Sequence, residues 1–88
     1  MAAPGRGAGG ATLARMDGYF LDCKGLNCPM PIVRLSQVMR SLASGARLVI
    51  EADDPAFRAD VEAWVRRFGH TLVSFEAGSV QRAVLEKK

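Results

Sequence analysis

Cysteine, histidine and the large aromatics are scarce in this sequence, and each shortage closes off a class of chemistry. Two cysteines among 88 residues cannot build a disulfide framework. Together with the single histidine, His70, they fall short of the ligands a tetrahedral metal site needs, so no metal or other cofactor is expected. No apolar run approaches the roughly 20 residues of a membrane span. No secretory-leader pattern precedes the cysteines. A reducing cytoplasm is the expected setting, and there a C-x4-C pair is more often chemical than structural.

Charge of one sign is lacking as well. The formal net charge is +3, of which Arg6 and Arg15 carry two. From Met16 onward ten Lys/Arg stand against nine Asp/Glu, which leaves the remainder near +1. The signs are interspersed, with adjacent basic pairs at Arg66-Arg67 and Lys87-Lys88. No aromatic and basic residues interleave on a strand, so neither direct nucleic-acid binding nor a membrane partner is expected.

What is present is a globular balance, 49% hydrophobic and 24% charged, in a length that suits one small domain. Residues 1–15 (MAAPGRGAGGATLAR) have almost no large side chains and are expected to be a disordered tail, with the domain over residues 16–88. Because Met16 directly precedes the first element, an upstream start codon would also account for the tail. Gly18 to Cys23 reads as a strand closed by the turn signals Lys24-Gly25-Leu26-Asn27. Ile32, Leu35, Val38, Met39 and Leu42 then recur at helical spacing, with Gly45 as the expected helix stop. Arg47 to Ala52 alternates as a strand. Asp53-Asp54-Pro55 predicts a helix start with an Asp cap and Pro at the first helical position. Phe57, Val61, Trp64, Val65 and Phe68 form the apolar stripe of that helix, and Gly69 stops it. Thr71–Glu76 and Val80–Lys87 follow as two strands joined across Ala77-Gly78-Ser79. Single-striped helices need a sheet on one side only. The expected fold is α+β: a two-layer α/β sandwich, β-α-β-α-β-β, with a four-stranded mixed sheet and two helices on one face.

The candidate reactive atom is the sulfur of Cys28. Pro29 disfavours helical geometry at the residue before it, which places Cys28 at the N-cap with Pro29 as N1 and Pro31 as N3. Both prolines replace N–H groups that have no helical partner. A thiol at the positive end of the helix dipole is expected to have a lowered pKa, moderated because Pro31 has no N–H to offer it. No general base is identifiable from the sequence.

The set Asp22-x-x-Gly25-x-x-Cys28-Pro29-x-Pro31 resembles the TusA/SirA-like sulfur carrier family with its CPxP motif. The likeness continues in Ala52-Asp53-Asp54-Pro55-Ala56, Asp60 and Gly69-His70, and covers about residues 19 to 87. The resemblance implies a sulfurtransferase that holds sulfane sulfur as a persulfide on Cys28, with Pro29, Pro31, Asp22, Gly25 and Cys23 in support. It implies a donor, either a cysteine desulfurase or a rhodanese, and an acceptor protein in tRNA thiolation, cofactor sulfuration or sulfur oxidation. The carrier is expected as a monomer or weak dimer. The chain departs from some members in having Ala59 where they carry Arg, and in having Cys23 where they carry Ala.

Other roles remain open for several residues. Cys23 reads as a semi-buried strand residue, a resolving thiol or a metal ligand, and Asp22 as an Asx-type loop former or part of the persulfide's surroundings. His70 suits a surface or capping position, Trp64 the core. Lys24 and Arg34 either flank the thiol or are solvated. Two competing functions follow: a dithiol redox protein using Cys23 and Cys28, and a small regulatory or nucleic-acid-binding module.

Overall fold

Leu48, Ile50 and Ala52 point to one side of a strand and become fully buried, because β-branched and leucine side chains at every second position give that strand one apolar face. The same alternation buries Leu21 and Cys23 in a second strand and Ala83 and Leu85 in a third. The registers bring these faces into line: Leu21 sits beside Ile50, Cys23 beside Ala52, Ile50 beside Ala83 and Leu48 beside Leu85. In this computed structural model residues 12–15 and 18–88 are described. The elements are β1 (Thr12–Arg15), β2 (Gly18–Cys23), α1 (Met30–Arg40), β3 (Arg47–Ala52), α2 (Phe57–Phe68), β4 (Thr71–Glu76) and β5 (Gln81–Glu86).

The sheet order is β1-β2-β3-β5-β4, with β2 and β3 parallel and the remaining pairs antiparallel. Strands β2 to β5 and the two helices are the mixed four-stranded sheet and two-layer sandwich that the periodicities predict. Strand β1 is an addition. The expected tail ran through residue 15, yet Thr12–Arg15 pairs with Gly18–Leu21, since any backbone with free N–H and C=O groups can extend a sheet edge. The rest of that expectation, residues 1–11, lies outside the described residues.

The helices cover the sheet with Pro31, Leu35 and Met39 from α1 and Phe57, Val61, Trp64 and Val65 from α2. Trp64 closes the seam between them by donating its indole N–H to Ser36 Oγ at 2.9 Å. Gly69 ends α2 in the left-handed conformation (φ 78°) that a helix stop of this type requires. Gly45 does not play that part for α1. The C-cap is Ser41, Val38 O and Met39 O accept the N–H groups of Ser41 and Leu42, and Lys87 Nζ adds a bond to Met39 O at 2.6 Å and one to Leu42 O, just past the helix, at 2.8 Å. A cation there also complements the negative end of the helix dipole. In β4 the register shifts between Leu72 and Ser74, a bulge that leaves Val73 exposed and returns Phe75 to the helix side, where its ring lies 6.0 Å from that of Phe57.

Replacing Lys87 by Met keeps its aliphatic length and removes the bonds to Met39 O at the end of α1 and to Leu42 O just beyond it. The expected loss is about 1–3 kcal/mol, because Leu42 O loses its side-chain donor while Met39 O keeps only the Leu42 N–H. Urea denaturation should show a lower midpoint with an unchanged slope; an unchanged midpoint would remove Lys87 from the account of helix termination.

Candidate functional site

The turn after β2 carries the candidate nucleophile, and its shape is set by backbone bonds. Asp22 Oδ1 accepts the Lys24 N–H at 3.0 Å, an Asx-type closure, and Leu26 N–H donates to Cys23 O at 3.2 Å. Gly25 takes φ 86°, a conformation that favours glycine. Its N–H is aimed at the far side of the site, where Asp53 Oδ1 and Oδ2 accept it at 3.0 and 3.2 Å. The turn bearing Cys28 is thereby joined to the turn that opens α2.

Cys28 lies one residue outside the position expected of it. The N-cap of α1 is Pro29, whose carbonyl accepts from Ile32 and Val33, and the Cys28–Pro29 peptide is cis. Met30 is N1 and the buried Pro31 is N2. The Met30 N–H bonds to Asn27 O at 2.8 Å, and the next donor, the Ile32 N–H, is already taken by Pro29 O. No helix N–H therefore reaches the sulfur. The Cys28 thiol donates to Asp60 Oδ2 at 3.0 Å instead.

That contact reverses the expected electrostatics. The carboxylate of Asp60 favours the protonated thiol, first through the hydrogen bond, and desolvation and the charges of Asp60 and Asp54 push in the same direction. The Cys28 pKa is raised above the ordinary cysteine value, not lowered by a helix dipole. Asp54 is held in place by its own bonds: Oδ2 accepts the Ala56 N–H at 3.0 Å, and its carbonyl accepts from Gln81 Nε2 at 2.8 Å. This closure occupies Pro55 and Ala56 in a turn, so α2 starts at Phe57 with Ala56 as N-cap, two residues beyond the expected Pro55.

The sulfur opens onto a shallow groove of about 300 Å³ between the helices, lined by Cys28, Pro29, Ile32, Asp60, Ala63, Trp64 and Arg67. Cys28 is exposed. Cys23 is fully buried under the helices, and burial pushes its thiol up to about 11, against a smaller opposing pull from Arg34. The two thiols share a loop and not a surface.

The other candidates fall elsewhere. Lys24 is turned away from the thiol into an ion pair with Asp22 and Glu51, and Arg82 completes that group on Glu51. His70 stacks on Trp64 at a centroid distance of 4.9 Å, and its Nδ1 accepts the Lys88 N–H at 3.0 Å. Burial and the nearby Lys87 and Lys88 hold its pKa below the usual histidine value. Asp60 as thiol partner and Asp53 as anchor of Gly25 had no place in the sequence-based roles beyond their motif positions. Their appearance in the run Ala52-Asp53-Asp54-Pro55 and at Asp60 was the available signal.

The family profile described as Sulfurtransferase TusA matches residues 19–87, the stretch that holds β2 to β5, both helices and the groove. The chain belongs to the TusA sulfurtransferase family. Among curated proteins the TusA-type chain is 46% identical over 68 residues to the candidate sulfur carrier protein YrkF of Bacillus subtilis (strain 168), covering 76% of this chain and 37% of that one. It is 47% identical over 53 residues to the candidate sulfur carrier protein YrkI of the same organism, covering 60% of this chain and 71% of that one. A candidate sulfur carrier protein of Aquifex aeolicus (strain VF5) is 38% identical over 56 residues, 64% of this chain and 28% of that one. The alignments thus span little more than a third or less of the length of YrkF and the Aquifex protein.

Burial of Cys23 links this TusA-type fold to pH. Its folded pKa of about 11 lies above the ordinary 9.0, so the native state keeps a proton that the unfolded chain releases. The contribution to stability is complete below pH 9.0 and is lost as pH rises toward about 11. Denaturation midpoints taken across that window should fall, and Cys23→Ala should flatten this part of the decline. An identical slope in both proteins would contradict the assignment.

Proposed function

We propose that this chain is a sulfur-relay protein that carries sulfane sulfur as a persulfide on Cys28 and passes it to an acceptor protein. The observation that carries the reading is that the cysteine of the family's CPxP motif is the exposed thiol of the pair and opens onto a groove between the helices. In loading, the Cys28 thiolate attacks the outer sulfur of a donor persulfide. The donor's S–S bond breaks, the donor thiolate departs, and Cys28 holds the sulfur as Cys28–S–SH. Unloading repeats the exchange with an acceptor thiolate as attacker. No net oxidant or reductant is consumed in either step.

The surroundings of Cys28 favour a carrier over a self-sufficient enzyme. The groove is shallow and open, with room for a partner's loop and too little enclosure to hold a small substrate away from water. A donor such as a cysteine desulfurase or rhodanese, and an acceptor in tRNA thiolation, cofactor sulfuration or sulfur oxidation, would complete the reacting centre. Among the described residues no helix is long and apolar enough to cross a membrane. A reducing cytoplasm suits a thiol that must stay free.

The dithiol reading loses support from Cys23, which is inaccessible and held protonated far above neutral pH, so it cannot serve as a ready resolving thiolate.

Incubation of the reduced protein with a persulfide donor, followed by intact-mass measurement, tests the proposal. The wild type and Cys23→Ser should gain the mass of one sulfur atom, and Cys28→Ser should gain none. A loss of two hydrogens that needs both cysteines would restore the dithiol, and no sulfur gain in any form would sink the carrier.

A further inference from the structure

The Cys28 sulfur has one hydrogen-bond partner among the described residues, and it is an anion. Asp60 Oδ2 sits 3.0 Å from Sγ, and one ligand-type atom from each of Cys28, Asp54 and Asp60 lies within 4.8 Å of the other two. Both carboxylates are half-buried, while the sulfur is open. Neither carboxylate is neutralised by a salt bridge among the described residues, whose ion pairs lie at Asp22, Glu51, Glu62 and Glu86. Among the described residues lining the same groove the cation is Arg67, seven residues along α2 from Asp60, with its guanidinium 5.6 Å from the Phe68 ring centroid.

Deprotonating Cys28 in this setting would place a negative charge beside two carboxylates and cancel its hydrogen bond to Asp60. Sulfur exchange, however, requires the thiolate. An anionic pair beside a nucleophile is therefore a brake in the free protein, and it becomes harmless once a positive charge is brought to it. A cationic side chain from a docked protein, held by Asp54 and Asp60, would withdraw Asp60 from its bond to sulfur and stabilise the thiolate at the same time.

We propose that Asp60, backed by Asp54, gates the sulfur of this carrier: its carboxylate holds the proton on Cys28 until a partner presents a cationic group to the two carboxylates beside the thiol. The proposal rests on Cys28 as the sulfur-carrying atom. On release, the S–H bond breaks, the proton passes to water, and the electron pair left on sulfur attacks the outer sulfur of the donor persulfide. The gate confines reactivity to partners with the matching charge and spares the free thiol from alkylating and oxidising encounters.

The charged groups that face Cys28 make the gate readable without knowing the partner. Rates of Cys28 modification by iodoacetamide, an uncharged probe, should be measured from pH 6 to 10 in Cys23→Ser backgrounds of the wild type, Asp60→Asn, Asp60→Glu and Asp54→Asn. Asp60→Asn should shift the profile to lower pH and raise the rate at pH 7 by roughly three- to tenfold, since one pKa unit is tenfold in thiolate. Asp54→Asn should give a smaller shift in the same direction, and Asp60→Glu should stay near the wild type. A cationic methanethiosulfonate should outpace its anionic counterpart on the wild type at low salt, and the ratio should shrink in both Asn variants. Circular dichroism establishes that each variant is folded. An unchanged profile in Asp60→Asn, or a slower reaction, would overturn the gate. Sulfur loading from a persulfide donor, scored by mass on the same variants, separates the two ideas. Absence of loading with a shifted alkylation profile counts against the carrier alone, and loading with an unshifted profile counts against the gate alone.

Discussion

The Gly25 N–H reaches both oxygens of the Asp53 carboxylate, and through that contact the turn bearing Cys28 is fastened to the turn that opens α2. The arrangement depends on β2 and β3 being parallel neighbours, because parallel strands put the turns that follow them at the same edge of the sheet. Each strand end then contributes a polar loop, and the two loops face each other across the ends of α1 and α2. Without this juxtaposition Asp54 and Asp60 would have no access to the sulfur. Glycine at position 25 supplies the positive φ that aims the N–H across the gap.

Two influences compete at the thiol. A helix N-terminus favours negative charge, but it acts on a side chain chiefly through N–H groups within reach, and Pro29 and Pro31 remove two while Asn27 takes the third from Met30. The carboxylate at 3.0 Å meets no such obstacle and decides the outcome. The CPxP motif thus gives exposure and position rather than acidity. A thiol of raised pKa is the stronger nucleophile once ionised, but it is seldom ionised near neutral pH.

Much of the fold was legible because it follows from local periodicity. The expected limits of the strands Gly18–Cys23, Arg47–Ala52 and Thr71–Glu76 coincide with those in the structure, and Gly69 ends its helix as its conformation requires. Helix starts were less legible. At Asp53-Asp54-Pro55 and at Cys28-Pro29 the cap signals are genuine, but side-chain and carbonyl bonds close a turn first and delay the helix by one or two residues. Strand β1 escaped because Thr12–Arg15 has no strand pattern of its own and acquires its form by pairing with β2. The thiol's environment escaped for a similar reason: Cys28 and Asp60 are 32 positions apart, and only the crossover through α1 and β3 brings them together.

The strand order has a consequence for how the domain comes into being. Strand β5 is the last of the described strands to be synthesised, yet it lies inside the sheet, between β3 and β4. A nascent chain that has not yet delivered Gln81–Glu86 leaves β3 with an open edge and β4 with nothing to pair to, and Lys87 is not there to finish α1. Joining β4 to the rest of the sheet therefore waits on Gln81–Glu86, the strand that pairs with both β3 and β4.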